Sequence, residues 1–442
     1  MNNQTDINKA AGENVKKPSG FLDRTLKNLK NAWRGIAGFA YDADKASLQP
    51  DLPDEDLEHL HEQMRACLET RGGEVSARGR AAALGHVYLA LDATGRERFL
   101  RMLAHDFDVD EGPVDAAMDA LRMATDQDSR RTAQTVLKKS LVAPRIKLLT
   151  QFNALPDGIK FLVDMRAELI ALKSNEPALQ GLEHDLRDLL TSWFDVDFLE
   201  LRRISWDNAS AALLEKLIAY EAVHAIDGWD DLKNRLDSDR RCFAYFHPRM
   251  PDEPLIFVEV ALVNGLADNI QALLDENAPV LDPNAADTAI FYSISNAQRG
   301  LAGISFGNFL IKRVAVALSA EFKGLKTFAT LSPVPGFMKW LMRSLADDAG
   351  GLLSKAEAKA LSTVAQDGEK PSQTLKMLLE NPSWPDNQAV SEALRAPLMR
   401  LGAHYLIGEK GRNKRALDPV EHFHLTNGAR MEKLNWRSDL SP

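Results

Sequence analysis

The stretch that most constrains this chain runs from Thr288 to Phe337, TAIFYSISNAQRGLAGISFGNFLIKRVAVALSAEFKGLKTFATLSPVPGF. Ala289 to Ile294 is a β-branched and aromatic run, the composition of a buried strand. Gly300, Gly303 and Gly307 follow closely. Phe309, Leu310, Val314, Val316, Ala317 and Phe322 then place an apolar stripe on a helix of about four turns. A second short strand, Phe328 to Leu331, runs into Ser332, where Pro333, Pro335 and Gly336 stop it. Strand, glycine loop, helix and strand make a β-α-β unit, which predicts parallel strands joined by a right-handed crossover.

That order has a chemical consequence. A glycine-rich turn entering a helix presents unpaired backbone N–H groups beside the positive end of the helix dipole, a seat for phosphate. Ser332 sits at the carboxyl end of the next parallel strand, the edge where open α/β sheets hold ligands. The residues therefore imply a nucleotide-like ligand beside a serine.

The remaining composition narrows the class. Net charge is −9, from 54 basic and 63 acidic residues, which argues against a general nucleic-acid binder. Cys67 and Cys242 are the only cysteines, too few for a disulfide framework or a cysteine metal cluster, and they suit a reducing compartment. No apolar run is long enough to span a membrane. The N-terminal residues, with Asp6 and Glu13, resemble neither a secretory nor a transit peptide, and Leu-Ser-Pro is not a peroxisomal address. The expected compartment is the cytoplasm.

Taken in order, residues 1–20 are polar and expected to be disordered. From Phe21, the residues Leu22, Leu26, Leu29, Trp33 and Ile36 mark one helical face, with lysines and arginines nearby. A helix docked on its own protein accounts for this pattern better than a membrane-surface helix. From Asp54 to Trp193 nearly everything reads as helices separated by Gly and Pro breakers. The spacing locks to no fixed repeat, so a bundle is predicted. A mixed region begins near Arg203. Ala212 to Ala222 reads as a helix, Cys242 to Phe246 and Leu255 to Leu262 as strands with HPRMPDEP as a loop between them, and Asp268 to Leu274 as a helix. Beyond Phe337, Ser354 and Glu357 have capping-box spacing. Helices follow at Ser372 to Leu379, Ala389 to Leu394 and Leu398 to Ile407. Near the end Val420 to Leu425 alternates, Asn427-Gly428 is a hairpin signal, and Met431 to Trp436 reads as the return strand. On such a strand His422 and His424 would share one face.

Six segments together resemble the malonyl-CoA decarboxylase family: QFNALPDGIKFLVDMRAELI, YEAVHAIDGWDDLKNRL, FYSISNAQRGLAGISFGNFLIKRV, LSPVPGFMKWL, APLMRLGAHYLIGEK and FHLTNGARMEKLNW. The likeness implies a two-domain chain of mixed class (α+β/α/β). An all-α helical bundle over 21–193 would serve homo-oligomerisation, as a tetramer, ahead of an acetyltransferase-like (GNAT-like) mixed α/β catalytic domain over 194–442. It implies conversion of malonyl-CoA to acetyl-CoA and CO2 with no cofactor, coenzyme A being part of the substrate. By resemblance, Ser332 and His424 are the catalytic pair. The acyl-CoA-binding stretch falls on Ala302, Gly303, Ile304, Ser305, Phe306, Gly307 and Asn308. The acetyltransferase loop pattern is met only loosely by Gln298-Arg299-Gly300-Leu301-Ala302-Gly303, in order but not in register. Family members continue past Asn435-Trp436 through a Gly-Leu-Met-x-Asn-Tyr-like segment that this sequence does not contain.

From the residues alone, Ser332 also suits a capping serine, His424 a structural histidine with His422 as its rival, and the glycines plain turns. Three other functions stay open at this stage: acyl transfer on the same fold, serine hydrolysis of an acyl-CoA, and a non-catalytic acyl-CoA-binding or scaffold subunit. Hydrolysis is the weakest. A nucleophile elbow needs G-x-S-x-G and an N–H on the next residue, whereas Leu331 precedes Ser332 and Pro333 follows it.

Overall fold

The structure is a computed structural model that describes residues 29–30, 32–34, 36, 48–69, 73–172, 175–304, 307–347, 351–365, 370–411 and 414–441. The segment 1–20 and the start of the Phe21 helix lie outside the described residues. The rest of that helix face docks inward: Trp33 is fully buried and donates its indole N–H to the Pro156 carbonyl at 2.8 Å.

Eight helices follow: α1 (Asp54–Leu68), α2 (Gly73–Ala90), α3 (Ala93–His105), α4 (Glu111–Met123), α5 (Gln127–Ser140), α6 (Pro144–Asn153), α7 (Gly158–Ala171) and α8 (Pro177–Trp193). Their starts follow local chemistry. Asp92, Asp110 and Asp126 cap α3, α4 and α5 through their carboxylates, and Pro144 and Pro177 open α6 and α8. Helix α7 is buried on most sides, with Ile159, Phe161, Leu162, Val163, Met165 and Leu169 in the core and the charged Lys160 and Arg166 buried among them, which marks it as a central helix.

The second part is built on a five-stranded sheet in the order β1 (Glu200–Ile204), β2 (Arg240–His247), β3 (Met250–Val263), β4 (Thr288–Asn296) and β5 (Thr327–Thr330). The first three pairings are antiparallel, while β4 and β5 are parallel, with Thr288 opposite Thr327 and Phe291 opposite Thr330. The predicted crossover is therefore present. Two details of the strand reading change. Strand β1 went unpredicted because its Glu-Leu-Arg-Arg-Ile sequence carries the polarity of an edge. Most of HPRMPDEP is strand too: β3 begins at Met250, and a register shift absorbs the prolines.

Helices α9 (Ala211–Tyr220) and α10 (Trp229–Arg235) cover one face of the sheet, and α11 (Ile270–Leu274) lies near the β4 end. The crossover helix is α12 (Gly307–Glu321). Its buried stripe is Leu310, Val314, Leu318 and Phe322, whereas Phe309 and Val316 are 50% and 71% exposed. One continuous core joins the two parts, running from Leu60 and Phe161 of the bundle to Tyr245, Val258 and Phe291 of the sheet and Leu310 of α12. The helical part thus serves as one wall of the sheet's core.

The remaining helices are α13 (Phe337–Ala346), α14 (Lys355–Ser362), α15 (Pro371–Glu380), α16 (Gln388–Ile407) and α17 (Pro419–Thr426). The Ser354–Glu357 capping box is formed at α14. The two helices expected around Pro397 are one. The proline forfeits a single N–H, and burial of Leu394, Leu398 and Leu401 around it offsets that loss.

The terminal hairpin is absent, and the reason is physical. Asp418 and Pro419 are an N-cap followed by proline at the first helical position, so the run Val420 to Leu425 is helical despite its alternation. Asn427 and Gly428 end that helix. Gly428 adopts φ +86°, and the Asn427 N–H returns to the Phe423 carbonyl at 3.2 Å. The left-handed backbone that makes Asn-Gly a hairpin turn also makes it a helix stop. Residues 430–435 carry neither helix nor strand, and the chain turns at Trp436.

Candidate active site

Strand β5 sets the first functional side chain. The parallel ladder extends one residue past it, the Leu331 N–H donating to the Phe291 carbonyl at 3.0 Å, before Pro333 and Pro335 end any further pairing. Ser332 therefore leaves the sheet edge where β4 and β5 part. Helix α17 sets the second. The Asp418 carboxylate accepts from the N–H groups of Val420 and Glu421 at 2.9 and 3.2 Å, and about two turns later the helix presents His424. Ser332 Oγ and His424 Nε2 lie 3.0 Å apart. His422 and His424 do not share a face as a strand would require. Residues two apart on a helix point about 200° from each other, and only His424 reaches the cleft.

Both side chains open onto a cleft of about 1220 Å³, above the usual range for small-ligand pockets and suited to a long ligand. Its floor is the β4 and β5 edge with Ile290 and Thr330, and Ile311 and Lys312 of α12 form one side. Glu421 of α17 and the terminal segment with Asn435 and Trp436 complete the lining. That segment is fastened to α11: the Ile270 N–H donates to the Ser438 carbonyl at 2.7 Å, and Gln271 donates to Asp439 at 2.9 Å. Glu421 Oε2 and Asn435 Oδ1 are buried in this lining with no hydrogen-bond partner among the described residues, leaving acceptors for a ligand to meet. Sequence reading singled out neither.

Burial lowers the His424 pKa below the ordinary histidine value. No carboxylate pairs with the ring among the described residues. The imidazole is thus neutral near pH 7, and with the proton on Nε2 it donates to Ser332 Oγ and leaves the hydroxyl hydrogen free to point into the cleft. Such a pair can pass a proton outward and can donate a hydrogen bond to a developing oxyanion. It is not a Ser-His-Asp triad. Among the described residues no group of three His, Cys, Asp or Glu side chains is arranged to hold a metal ion.

The expected acyl-CoA-binding stretch follows a short 3-10 turn, Arg299–Leu301. Ala302 and Gly303 are exposed, Ile304 is half-buried, and Gly303 takes φ +77°. None of these three lines the cleft that holds Ser332 and His424. Ser305 and Phe306 lie outside the described residues, and Gly307 and Asn308 open α12. Gln298 is structural: its amide is buried and donates to the Pro254 carbonyl at 2.9 Å. The loop is held from the helical part. Gly300 packs so tightly on α7 that a Cβ there would stand 1.8 Å from the Val163 carbonyl oxygen, so only glycine fits. Buried Arg166 donates to the Gly300 and Ala302 carbonyls at 2.5 and 2.9 Å while paired with Glu183 at 2.6 Å. Sequence reading does not single out Arg166, one of four charged residues on α7.

Comparison with known proteins agrees along the chain. Residues 107–194 match the family model described as "Malonyl-CoA decarboxylase N-terminal domain", and residues 197–442 match "Malonyl-CoA decarboxylase C-terminal domain". Over 382 residues the chain is 36% identical to the mitochondrial malonyl-CoA decarboxylase of Anser anser anser, covering 83% of this chain and 75% of that protein. Identity to the Rattus norvegicus protein is 38%, with 83% and 77% covered. The crystal structure of malonyl-CoA decarboxylase from Rhodopseudomonas palustris superposes with a TM-score of 0.78 at 40% identity, covering 87% of this chain and 89% of that one. The Agrobacterium vitis structure gives 0.77 at 39%, over 87% and 88%. With both halves matched in sequence and in fold, the chain belongs to the malonyl-CoA decarboxylase family.

Proposed function

We propose that this chain is a carboxy-lyase that converts malonyl-CoA to acetyl-CoA and CO2. The observation that carries the reading within the site is the Ser332–His424 hydrogen bond in the lining of a cleft of about 1220 Å³. The thioester is its own electron sink. As the carboxylate's bond to the α-carbon breaks, its electrons pass to the thioester carbonyl and leave an enolate, whose oxygen needs a preorganised donor. In this reading the Ser332 hydroxyl meets the malonyl head. The enolate carbon then takes a proton from Oγ, and the serine recovers one from His424 Nε2, which is replenished from solvent. Two neutral groups suffice because a thioester enolate is more basic than either conjugate base.

Ala302 to Asn308 would hold the coenzyme A diphosphate, and exposed Ala302 and Gly303 beside the start of α12 support this. Residues 21–193 would form the assembly domain of a homotetramer. Supporting that part, the α4–α5 hairpin exposes Met123, Val136, Leu141 and Val142, with only Ala117 and Ala133 buried between its helices. Two free, buried thiols support a reducing, cytoplasmic setting, and no described helix is long and apolar enough to cross a membrane.

Incubating the chain with malonyl-CoA while following CO2 and acetyl-CoA tests the activity. Equimolar release of both is the expected result. Binding without turnover would instead mark an acyl-CoA-binding subunit, and acetyl transfer to an amine without CO2 would mark an acyltransferase.

A further inference from the structure

The carboxylate of Asp418 does more than cap a helix. It is 1% exposed, and among the described residues no cation pairs with it. Four donors meet it instead. Oδ1 takes the Val420 and Glu421 N–H groups at 2.9 and 3.2 Å. Oδ2 takes the Gly336 N–H at 3.1 Å and the Tyr405 hydroxyl at 3.3 Å. One oxygen therefore holds the start of the helix that carries His424, and the other holds the loop that follows Ser332. Tyr405, itself 2% exposed, adds α16 as a fixed post behind both. Burial and the neighbouring Asp418 charge push the Tyr405 phenol up to about 12, so it stays a donor.

We propose that Asp418 is a positioning residue for the decarboxylation, a single carboxylate that clamps the Ser332 loop to the His424 helix and so sets the distance between hydroxyl and imidazole. Nothing else joins the two segments as closely by hydrogen bonds among the described residues, apart from the Ser332–His424 contact itself. Proton transfer is steep in distance: a misplacement of about 1 Å can cost on the order of a hundredfold in rate. Asp418 borders the cleft, but both its oxygens are spent on these four donors, so the clamp should act on turnover more than on binding. The proposal rests on the Ser332–His424 reading of the site.

The test is a double-mutant cycle on the full chain. Asp418→Asn and Asp418→Ala are made in the wild-type and Ser332→Ala backgrounds, and kcat and KM for malonyl-CoA are measured for each. In the wild-type background kcat should fall about tenfold or more with KM changed less than about threefold. In the Ser332→Ala background the same substitutions should cost less than about twofold, because the geometry they disturb no longer matters. Asp418→Asn keeps an acceptor for one segment only, so its loss should lie between wild type and Asp418→Ala. Tyr405→Phe, which leaves Asp418 in place, should show a smaller loss of the same kind if Asp418→Ala does not fold. Wild-type kcat in the folded variants, or equal losses in both backgrounds, would overturn the clamp. Failure of the underlying pair would look different, since Ser332→Ala alone would then retain normal turnover.

Discussion

Ser332 Oγ and His424 Nε2 are 3.0 Å apart although 92 residues separate them in the chain. The contact joins the end of a parallel strand to the last turn of a short capped helix, and neither segment approaches the other in sequence. Removing either side chain should therefore remove one function. Ser332→Ala and His424→Asn are each expected to lower kcat by at least about a hundredfold, as the loss of an oxyanion donor or general acid does. The double variant should fall little further, because the two act as a unit. Steady-state kinetics of the three variants checks this, and near-normal rates in both single variants would discard the mechanism.

The burial of His424 makes a separate prediction about pH. Its pKa is held below the ordinary value of 6.5, so the neutral ring persists through neutral pH and the charged ring appears only in more acidic solution. An imidazolium beside the malonyl head would stabilise the carboxylate ground state and hinder release of CO2. Activity should hold steady as pH drops from 8 toward the usual histidine range of about 6.5 and decline only below it. The low-pH limb of the kcat profile should vanish in whatever residual activity His424→Asn retains. A limb centred above 6.5 in the wild type would count against the assignment.

The β-α-β unit was legible because its signals are local: a β-branched run, clustered glycines, an amphipathic run and a proline stop. The structure keeps β4, α12 and β5 close to the expected spans. The terminal region misled because its two signals are ambiguous in isolation. Val420 to Leu425 alternates, yet Asp418-Pro419 starts a helix, and Asn427-Gly428 stops helices as readily as it turns hairpins. The resemblance, and not the periodicity, points to His424, and the structure puts its ring beside Ser332. Arg166, Asp418 and Tyr405 were beyond reach for another reason. Each acts on segments remote in sequence, and only the fold brings carbonyls, N–H groups and carboxylates to them.

The peripheral helices carry an acid-sensitive link. Arg400 of α16 donates through Nε and Nη2, both at 2.8 Å, to the two oxygens of Glu357 of α14, and the Ser354 N–H adds a further bond at 2.7 Å. These contacts, the Arg400 pair first, pull the Glu357 carboxyl from 4.5 down to about 2. A carboxyl with a depressed folded-state pKa stabilises the fold above its unfolded value and loses that contribution as pH falls through the folded one. Arg400→Gln should therefore be less stable than wild type at pH 7, by roughly 1 kcal/mol for a bidentate pair partly open to solvent. The gap should shrink between pH 4.5 and about 2. Denaturant melts of both proteins at pH 7 and pH 3 measure it, and a gap that stays constant would remove the electrostatic explanation.

The helical part and the proposed coenzyme loop share one arginine, so substrate affinity should depend on a residue that does not line the cleft. Arg166 lies on α7, is 2% exposed, and spends its guanidinium on the Gly300 and Ala302 carbonyls and on Glu183. A lysine at that position would offer one compact ammonium where a planar fork now reaches three acceptors. Arg166→Lys should therefore loosen the loop before α12 while keeping the charge that pairs Glu183. The expected outcome is a rise of about tenfold in KM for malonyl-CoA, with a matching loss of affinity for the acetyl-CoA product and a smaller change in kcat. Gly303→Val, which forces a β-branched residue into φ +77°, should act in the same direction without touching the Arg166 contacts. Unchanged KM and unchanged product inhibition in both variants would separate the loop from coenzyme binding and leave Arg166 with a purely architectural role.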